Sequence, residues 1–367
     1  MKEMLLHKSN IEKDIAAKVF SGERISVEDA IYLYKNSNIS FCAYLANHIK
    51  ERKFGKEVYY NKNTHIEISN RCINKCKFCS FYREEGMPDC WDLEIPDVIN
   101  ILKEKTTEGI SEVHLTGGLH PEKTSKFYCE LFTKIKNLFP QLHIKAFTSV
   151  EIEYFAKSDN KTSLEILKDL KANGLNSLAG GGAEILDDSI RRKICPEKTN
   201  SKTWLRIHQE AHSLGLSSNC TMLYGHIENI EDRVNHMDKL RELQDSSKGF
   251  NCFIPLKYKT FGNRLNLKNE INLSEELKTY SISRIFLDNI SHLKAYWPMT
   301  GKGNAALSLS FGVDDMDGTI SDSTKIYSMA GSKEQKPEMT ANEMIELIEN
   351  QEFVAIERSS EYEIIKR

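Results

Sequence analysis

Between residues 64 and 311 the chain alternates short strand-forming runs with amphipathic helical stretches. The strand candidates fall near 64–69, 112–116, 142–147, 176–180, 217–223, 250–256, 293–298 and 306–311. The helices between them are legible by period, as in Val98, Ile101 and Leu102, Tyr128, Leu131 and Ile135, Leu164, Leu167 and Leu170, and Val234, Met237 and Leu240. Strands joined by helical crossovers pair in parallel, and eight such units over roughly 250 residues predict an α/β fold of the (βα)8 TIM-barrel type, with a doubly wound open sheet as the other arrangement the alternation permits. Residues 1–57 read as helices. Ile11, Ile15 and Val19 share a face before Gly22, Ser26 to Asp29 has capping-box spacing, and a third helix carries Leu45 and Ile49 and stops near Gly55. With 8 Pro and no low-complexity tract, no linker divides the chain. The expected organisation is an N-terminal helical extension (1–57), the barrel (58–319) and a helical or extended C-terminal cap (320–367).

Lys plus Arg number 50 against 53 Asp plus Glu, a net of −3, so no electrostatic footprint for nucleic acid or an anionic membrane is present. The N-terminal MKEMLLHKSNIEKD has no apolar core of a signal peptide, and no run reaches the ~18 apolar residues of a spanning helix. A cytoplasmic location is expected. In that reducing compartment 9 Cys point to thiols and metal rather than a disulfide framework.

A barrel keeps its chemistry in the loops after the C-terminal ends of its strands. The first strand runs into Cys72-Ile73-Asn74-Lys75-Cys76-Lys77-Phe78-Cys79, three thiols that can converge from one loop onto a metal. A structural zinc site needs four protein ligands, which Cys90 or His120 would have to complete. The alternative is a 4Fe-4S cluster with three Cys-bound irons and one iron open to another ligand, and an open position is what distinguishes catalytic from structural metal sites. Cys42, Cys195, Cys220 and Cys252 read as small core residues. Gly180-Gly181-Gly182 either lets the backbone approach a ligand or relieves crowding between strand and helix.

C-x3-C-x-aromatic-C directly after a first barrel strand resembles the signature of radical S-adenosylmethionine (radical SAM) enzymes. The resemblance implies that Cys72, Cys76 and Cys79 hold the cluster and that S-adenosylmethionine binds the fourth iron and is cleaved to a deoxyadenosyl radical by one electron from a donor such as flavodoxin or ferredoxin. It further implies that Thr116-Gly117-Gly118 border the methionine moiety, although Leu119 stands where the family usually has an acidic residue, and that Phe78 contributes to the S-adenosylmethionine site. Thr148, Glu151, Gly181 and Glu184 become candidates for the adenosyl group.

The segments His114 to Pro121, Ile144 to Thr148, Gly180 to Ile185, Ile194 to Lys198 and Thr221 to Glu228, with Ala330-Gly331, are similar to the aminofutalosine synthase family of menaquinone biosynthesis. Its relatives, the cyclic dehypoxanthine futalosine synthases and the deazaflavin-forming enzymes, share the cluster and the barrel and are the alternative reading within the superfamily. The resemblance implies that S-adenosylmethionine is consumed as a co-substrate: the deoxyadenosyl radical adds to the vinyl ether of 3-[(1-carboxyvinyl)oxy]benzoate, and rearrangement with decarboxylation gives 6-amino-6-deoxyfutalosine. Two carboxylates on the substrate call for cationic or N–H donors. His120, Arg191, His226 and Arg264 lie in loops on the expected top face; His226, Glu228 and His120 are the catalytic candidates, His226 first because Tyr224-Gly225-His226 closes the fifth barrel strand. A cluster-bearing electron carrier or a zinc-stabilised binding module is the reading from a different class, and requires a fourth protein ligand.

Overall fold

The computed structural model describes residues 7–320, 324–333 and 335–366. Residues 1–6 of the expected helical extension, and 321–323, 334 and 367 of the expected cap, lie outside the described residues. The first three helices are bounded by the local signals in the sequence. Ser9 and Glu12 form a capping box on Asn10–Ser21, which ends at Gly22 with φ 78°. Ser26 and Asp29 do the same for Val27–Asn36, and Asn38 caps Ile39–Phe54. Ile15 and Val19 are buried, whereas Ile11, expected on the same face, is 48% exposed. The third helix packs along the helix Leu273–Phe286, so this extension is built onto the flank of the main body.

The strands are β1 (Glu57–Asn61), β2 (Asn63–Glu67), β3 (Glu112–Thr116), β4 (His143–Ala146), β5 (Ser177–Leu178), β6 (Ser217–Tyr224), β7 (Phe250–Lys257), β8 (His292–Leu293), β9 (Asp315–Gly318), β10 (Val354–Arg358) and β11 (Ile364–Lys366). Seven of them, β2 to β8, form one parallel sheet in consecutive order. Helices between successive strands cover its outer face, as the alternation predicts, and the sheet curls into a partial barrel. The expected eighth strand is the exception. Residues 306–311 are the end of the helix Lys302–Ser308 and a 3-10 turn, Leu309–Phe311. Ala305, Ala306 and Leu309 are buried there, and a short apolar run reads the same by period whether it is a strand or a buried helical turn. Likewise, 293–298 yields a two-residue strand followed by the helical turn Trp297–Thr300.

Closure is completed by β9 instead. Lys294 bridges to Asp315 in parallel and Ala295 N–H donates to Asp315 O at 2.9 Å, while β9 also pairs with β1, whose chain passes directly into β2. Thr319 ties the join, its N–H donating to Asn61 O at 3.1 Å and its hydroxyl accepting from Asn63 N–H at 3.1 Å. The second sheet, ordered β11-β10-β1-β9, extends this seam.

Along the barrel strands the two faces differ in kind. Ile66, Val113, Leu115, Ile144 and Ala146 belong to the apolar core beneath the helices, with Val98, Leu102, Leu131 and Ile135. The alternate residues His65, Glu112, His114, Thr116 and Lys145 line the interior. Parallel strands covered on both faces are ordinarily near-continuous apolar runs; here the inner face is polar, and that asymmetry locates the site.

Candidate active site

The cysteine loop is pinned by backbone bonds from several elements. Cys72 N–H donates to Arg83 O at 3.2 Å, Ile73 N–H to Leu119 O at 2.9 Å, Lys77 N–H to Ile194 O at 2.7 Å, and Arg264 N–H to Lys77 O at 2.7 Å. Cys76 is buried, and Cys72 and Cys79 are half-buried. Leu119 N–H points at Cys72 Sγ, 3.3 Å away. Burial pushes the Cys72 thiol up to about 11 and raises that of Cys76 well above its ordinary value, so the apoprotein holds them as thiols and a cationic metal group is what makes thiolates of them. Behind Cys76, Lys198 donates to Glu184 at 2.6 Å with its ammonium 5.2 Å from the Phe78 ring. Burial works to lower the Lys198 pKa, yet Cys76 and Glu184 raise it well above the ordinary lysine value.

This donor set fits a 4Fe-4S cluster. A structural zinc site needs four protein ligands, and the loop presents three thiols. A cubane asks for one cysteine per iron, which three thiols on one loop provide for three of its four irons. Neither residue considered for a fourth ligand is presented to the others. The ring of His120 is used within its own loop: Nδ1 accepts from Glu122 N–H at 3.0 Å and Lys123 N–H at 3.1 Å, and Nε2 lies 3.1 Å from Asp92. Cys90 sits in the turn beyond Arg83, its N–H donating to Met87 O at 3.3 Å.

The rim beside this loop is shaped by glycine. A Cβ on Gly118 would lie 2.2 Å from Arg71 O and 3.0 Å from Cys72 Cβ, and one on Gly117 2.6 Å from Ser69 O, so the end of β3 touches the cysteine loop backbone to backbone. A small cleft there is lined by Thr116, Gly117, Gly118 and Glu151. Glu151 forms a capping box with Thr148, its carboxylate accepting from Thr148 N–H at 2.9 Å. The glycine triplet packs against the neighbouring strand β6 and the barrel interior. Gly180, at φ 77°, leaves no room for a Cβ, which would stand 1.8 Å from Asn219 O, while Gly181 faces the barrel interior and accepts from Trp204 Nε1–H at 3.0 Å.

Below the rim is a chamber of about 200 Å³. Strand register places His65 beside His114 and His114 beside Lys145. The imidazoles meet edge to face at 4.6 Å, and the Tyr296 hydroxyl is 3.4 Å from His65 Nδ1. Lys145 donates to Glu112 at 2.6 Å and Lys294 to Asp317 at 2.6 Å. Burial pulls the His65 pKa down to about 4 and that of His114 well below the ordinary range, so both rings are neutral. Thr324, Ile326 and Tyr327 line the chamber from the segment beyond β9, held by Glu67, whose carboxylate accepts from Lys325 N–H at 2.9 Å and Ile326 N–H at 3.0 Å. Burial lifts the Glu67 pKa to about 7, against those N–H donors.

The catalytic candidates of the sequence lie elsewhere. The side chains of His226 and Glu228 have no exposure and neither lines the chamber. His226 Nε2 is 3.0 Å from Leu223 O, and Nδ1 accepts from Ile227 N–H at 2.7 Å; Glu228 accepts from His226 N–H at 2.8 Å and Arg233 Nε at 2.7 Å. They fasten the turn after β6. Arg191 is spent on carbonyls, with Nε donating to Thr199 O at 3.0 Å, and Arg264 on Lys75 O. The interior groups His65, His114, Lys145, Lys294 and Asp317 were not singled out, although the period-2 polar pattern His65-x-Glu67 and Glu112-x-His114-x-Thr116 in otherwise apolar strands carries the signal.

Residues 66–240 match the Radical SAM superfamily and residues 247–367 the CofH/MqnC C-terminal region. The chain is 38% identical to the aminodeoxyfutalosine synthase of Thermus thermophilus over 96% of its length and 95% of the relative's, and 37% identical to that of Streptomyces coelicolor over 98% and 95%. The crystal structure of methylornithine synthase superposes with a TM-score of 0.75 at 17% identity, covering 93% of this chain and 97% of that one, a likeness of fold. Among the described residues no helix is long and apolar enough to cross a membrane.

Proposed function

The chain belongs to the aminodeoxyfutalosine synthase family of the radical SAM superfamily, and from that premise we propose that it joins the deoxyadenosyl group of S-adenosylmethionine to 3-[(1-carboxyvinyl)oxy]benzoate, forming 6-amino-6-deoxyfutalosine for menaquinone biosynthesis. The observation that carries the reading is a three-thiol loop in backbone contact with the end of β3, beside a chamber large enough for a single-ring substrate. The bonds that break are the sulfonium C–S bond, the aryl ether C–O bond and the bond to the vinyl carboxylate. Those that form join the deoxyadenosyl carbon to the vinyl carbon and the ring to the former ether carbon. The electron that opens the sulfonium is returned when carbon dioxide leaves, so no net oxidant is consumed.

In this reading Cys72, Cys76 and Cys79 hold the cluster, which when bound supplies the electron and the open coordination position. Thr116, Gly117 and Gly118 border the methionine moiety, supported by the closeness of Gly118 to Cys72. Phe78, Thr148, Glu151, Gly181 and Glu184 flank the adenosyl group; Glu184 shares Lys198 with the Phe78 face, and Gly181 opens on the chamber. His226 and Glu228 support the turn after β6, their polar atoms engaged by neighbouring backbone and side chains, and His120 supports its own loop through Nδ1. Addition to an alkene instead of hydrogen abstraction demands van der Waals contact between the two carbons, and a chamber roofed by Ile326 and Tyr327 keeps water from the radical. A low-potential donor of flavodoxin or ferredoxin type, a cytoplasmic setting and no nucleic-acid or membrane partner complete the proposal.

Reduced, anaerobic protein incubated with S-adenosylmethionine and 3-[(1-carboxyvinyl)oxy]benzoate tests it by mass spectrometry. Covalent transfer of the adenosyl group to the benzoate skeleton, with methionine released, is expected. Free deoxyadenosine alone refutes the substrate assignment, and uncleaved S-adenosylmethionine on an intact cluster refutes the reaction class.

A further inference from the structure

We propose that the ring carboxylate of the substrate is received inside the barrel at the level of His65, His114 and Lys145, with the neutral His114 imidazole as a hydrogen-bond donor and the Lys145 ammonium as the charge partner. The inference rests on the proposed reaction and adds where and by what the substrate's far end is recognised.

Three constraints lead there. The vinyl carbon must lie at the rim, because that is where β3 meets the cysteine loop. The ring then occupies the chamber below. A cavity of about 150 Å³ takes a benzene ring, so about 200 Å³ takes one that bears a small substituent. That substituent is an anion, and a buried anion needs donors. The two arginines expected on the top face do not line the chamber: Arg191 donates to the Thr199 and Ala183 carbonyls and Arg264 to the carbonyl of Lys75.

The chamber does offer them. The His114 ring lines the chamber from an inner-face position of β3. Because burial holds the ring neutral, it has one N–H to donate while carrying no charge. Charge comes from Lys145, the register neighbour of His114, which also lines the chamber and whose ammonium has three donors and makes one bond of 2.6 Å to Glu112. The Lys145–Glu112 and Lys294–Asp317 pairs balance the charge of the walls. Thr116, on the same strand one inner-face position nearer the rim, lines both the chamber and the glycine cleft, so one strand spans from the donors to the reacting end.

The test measures ring-carboxylate selectivity. Binding of 3-[(1-carboxyvinyl)oxy]benzoate and of (1-carboxyvinyl)oxybenzene, which lacks the ring carboxylate, is followed by calorimetry on cluster-loaded protein, with KM and kcat for both. Wild type is expected to prefer the benzoate by about tenfold or more, as a charge-assisted hydrogen bond commands. His114→Phe, which keeps a ring against His65, should weaken the benzoate by about that factor and leave the phenyl ligand within about twofold. Lys145→Gln, which keeps a donor toward Glu112, reads out the same selectivity if the first variant does not fold. Equal losses for both ligands, unchanged benzoate affinity in both variants, or a wild type indifferent to the ring carboxylate overturns the inference. A wild type that neither binds nor converts the benzoate instead overturns the proposed reaction, and the two failures are thereby distinct.

Discussion

Gly118→Ala tests how tightly the substrate barrel and the cysteine loop are coupled. The added Cβ stands 2.2 Å from Arg71 O, 2.8 Å from Arg71 C and 3.0 Å from Cys72 Cβ, where ordinary contact begins at 3.4 Å. These are backbone atoms and the Cβ of Cys72, so no flexible side chain can swing aside. Gly118 is itself tethered to that loop, its N–H donating to Ser69 O at 2.6 Å. Restoring contact requires the end of β3 and the loop to part by roughly 1 Å, a misplacement of the size that costs on the order of 100-fold in rate. Forced overpacking adds about 1–3 kcal/mol of destabilisation. Gly303→Ala is the control, because nothing lies within 4 Å of its Cβ and its helical setting makes alanine neutral or stabilising by about 1 kcal/mol. The assay is anaerobic reconstitution with iron and sulfide determination, the cluster's EPR signal with and without S-adenosylmethionine, and turnover. The expected result for Gly118→Ala is a folded protein whose turnover falls by about two orders of magnitude and whose S-adenosylmethionine-induced EPR change is diminished, with Gly303→Ala unaffected. Wild-type turnover and an unaltered EPR response in Gly118→Ala would refute the reasoning that this contact sets the distance between cluster and substrate.

Cys90→Ser is expected to retain the wild-type iron content of about four per chain, because the turn holding Cys90 is fastened through Met87 and Arg83 without the thiol; loss of iron on metal analysis would restore a four-cysteine site. Burial lowers the folded-state pKa of His65 to about 4, His143 to about 4 and His236 to about 3. The unfolded chain therefore binds more protons, and stability present above about pH 6.5 is lost as pH falls toward 4, by on the order of 3 kcal/mol per ring at the limit; a urea midpoint that stays flat from pH 7 to 4.5 contradicts this. Arg358→Met strands the buried Asp315 carboxylate, which Arg358 Nε holds at 2.7 Å while Lys294 is 3.9 Å away, and should cost about 3–5 kcal/mol in denaturant unfolding, most of it recovered in Arg358→Met with Asp315→Leu. Failure of the double variant to recover shows that the pair is needed for the seam between β9 and β10 and not only to neutralise itself.

Period and capping carried most of the fold. Capping boxes at Ser9 and Ser26 and the outward apolar stripe of each crossover helix depend on neighbours within four residues, so they are legible in one chain. The seam was not, because it joins residues far apart in sequence. β9 is recruited by β1 and by a single bridge from Lys294, and its sequence Asp315-Met-Asp-Gly318 has the composition of a turn; only burial against Arg358 and Lys294 makes a strand of it. The same limit separates the parts of the site. Three cysteines in one loop announce a metal by spacing alone. His226, by contrast, sits at a strand end as a catalytic residue might, and only coordinates reveal that both its nitrogens are engaged. His114 and Lys145 looked like parts of ordinary buried strands until the strand direction assigned them to the inner face.

That inner face explains why the C-terminal third of the chain is needed by a site whose cysteines lie near its start. A seven-strand parallel sheet leaves a gap between β8 and β2 through which water would reach a radical. The chain fills that gap with β9, and in doing so must bury the carboxylates of Asp315 and Asp317, which demand cations. Lys294 answers from β8 and Arg358 from β10, so the residues that close the wall also set the charge of the chamber it encloses. Beyond β9, Thr324, Ile326 and Tyr327 line the chamber, where the Glu67 carboxylate at the end of β2 receives the N–H groups of Lys325 and Ile326 and Tyr327 comes to within 5.2 Å of Tyr296 between ring centres. Wall, charge balance and roof are thus consecutive consequences of one stretch of chain. A radical that must add to carbon before it meets water needs all three at once.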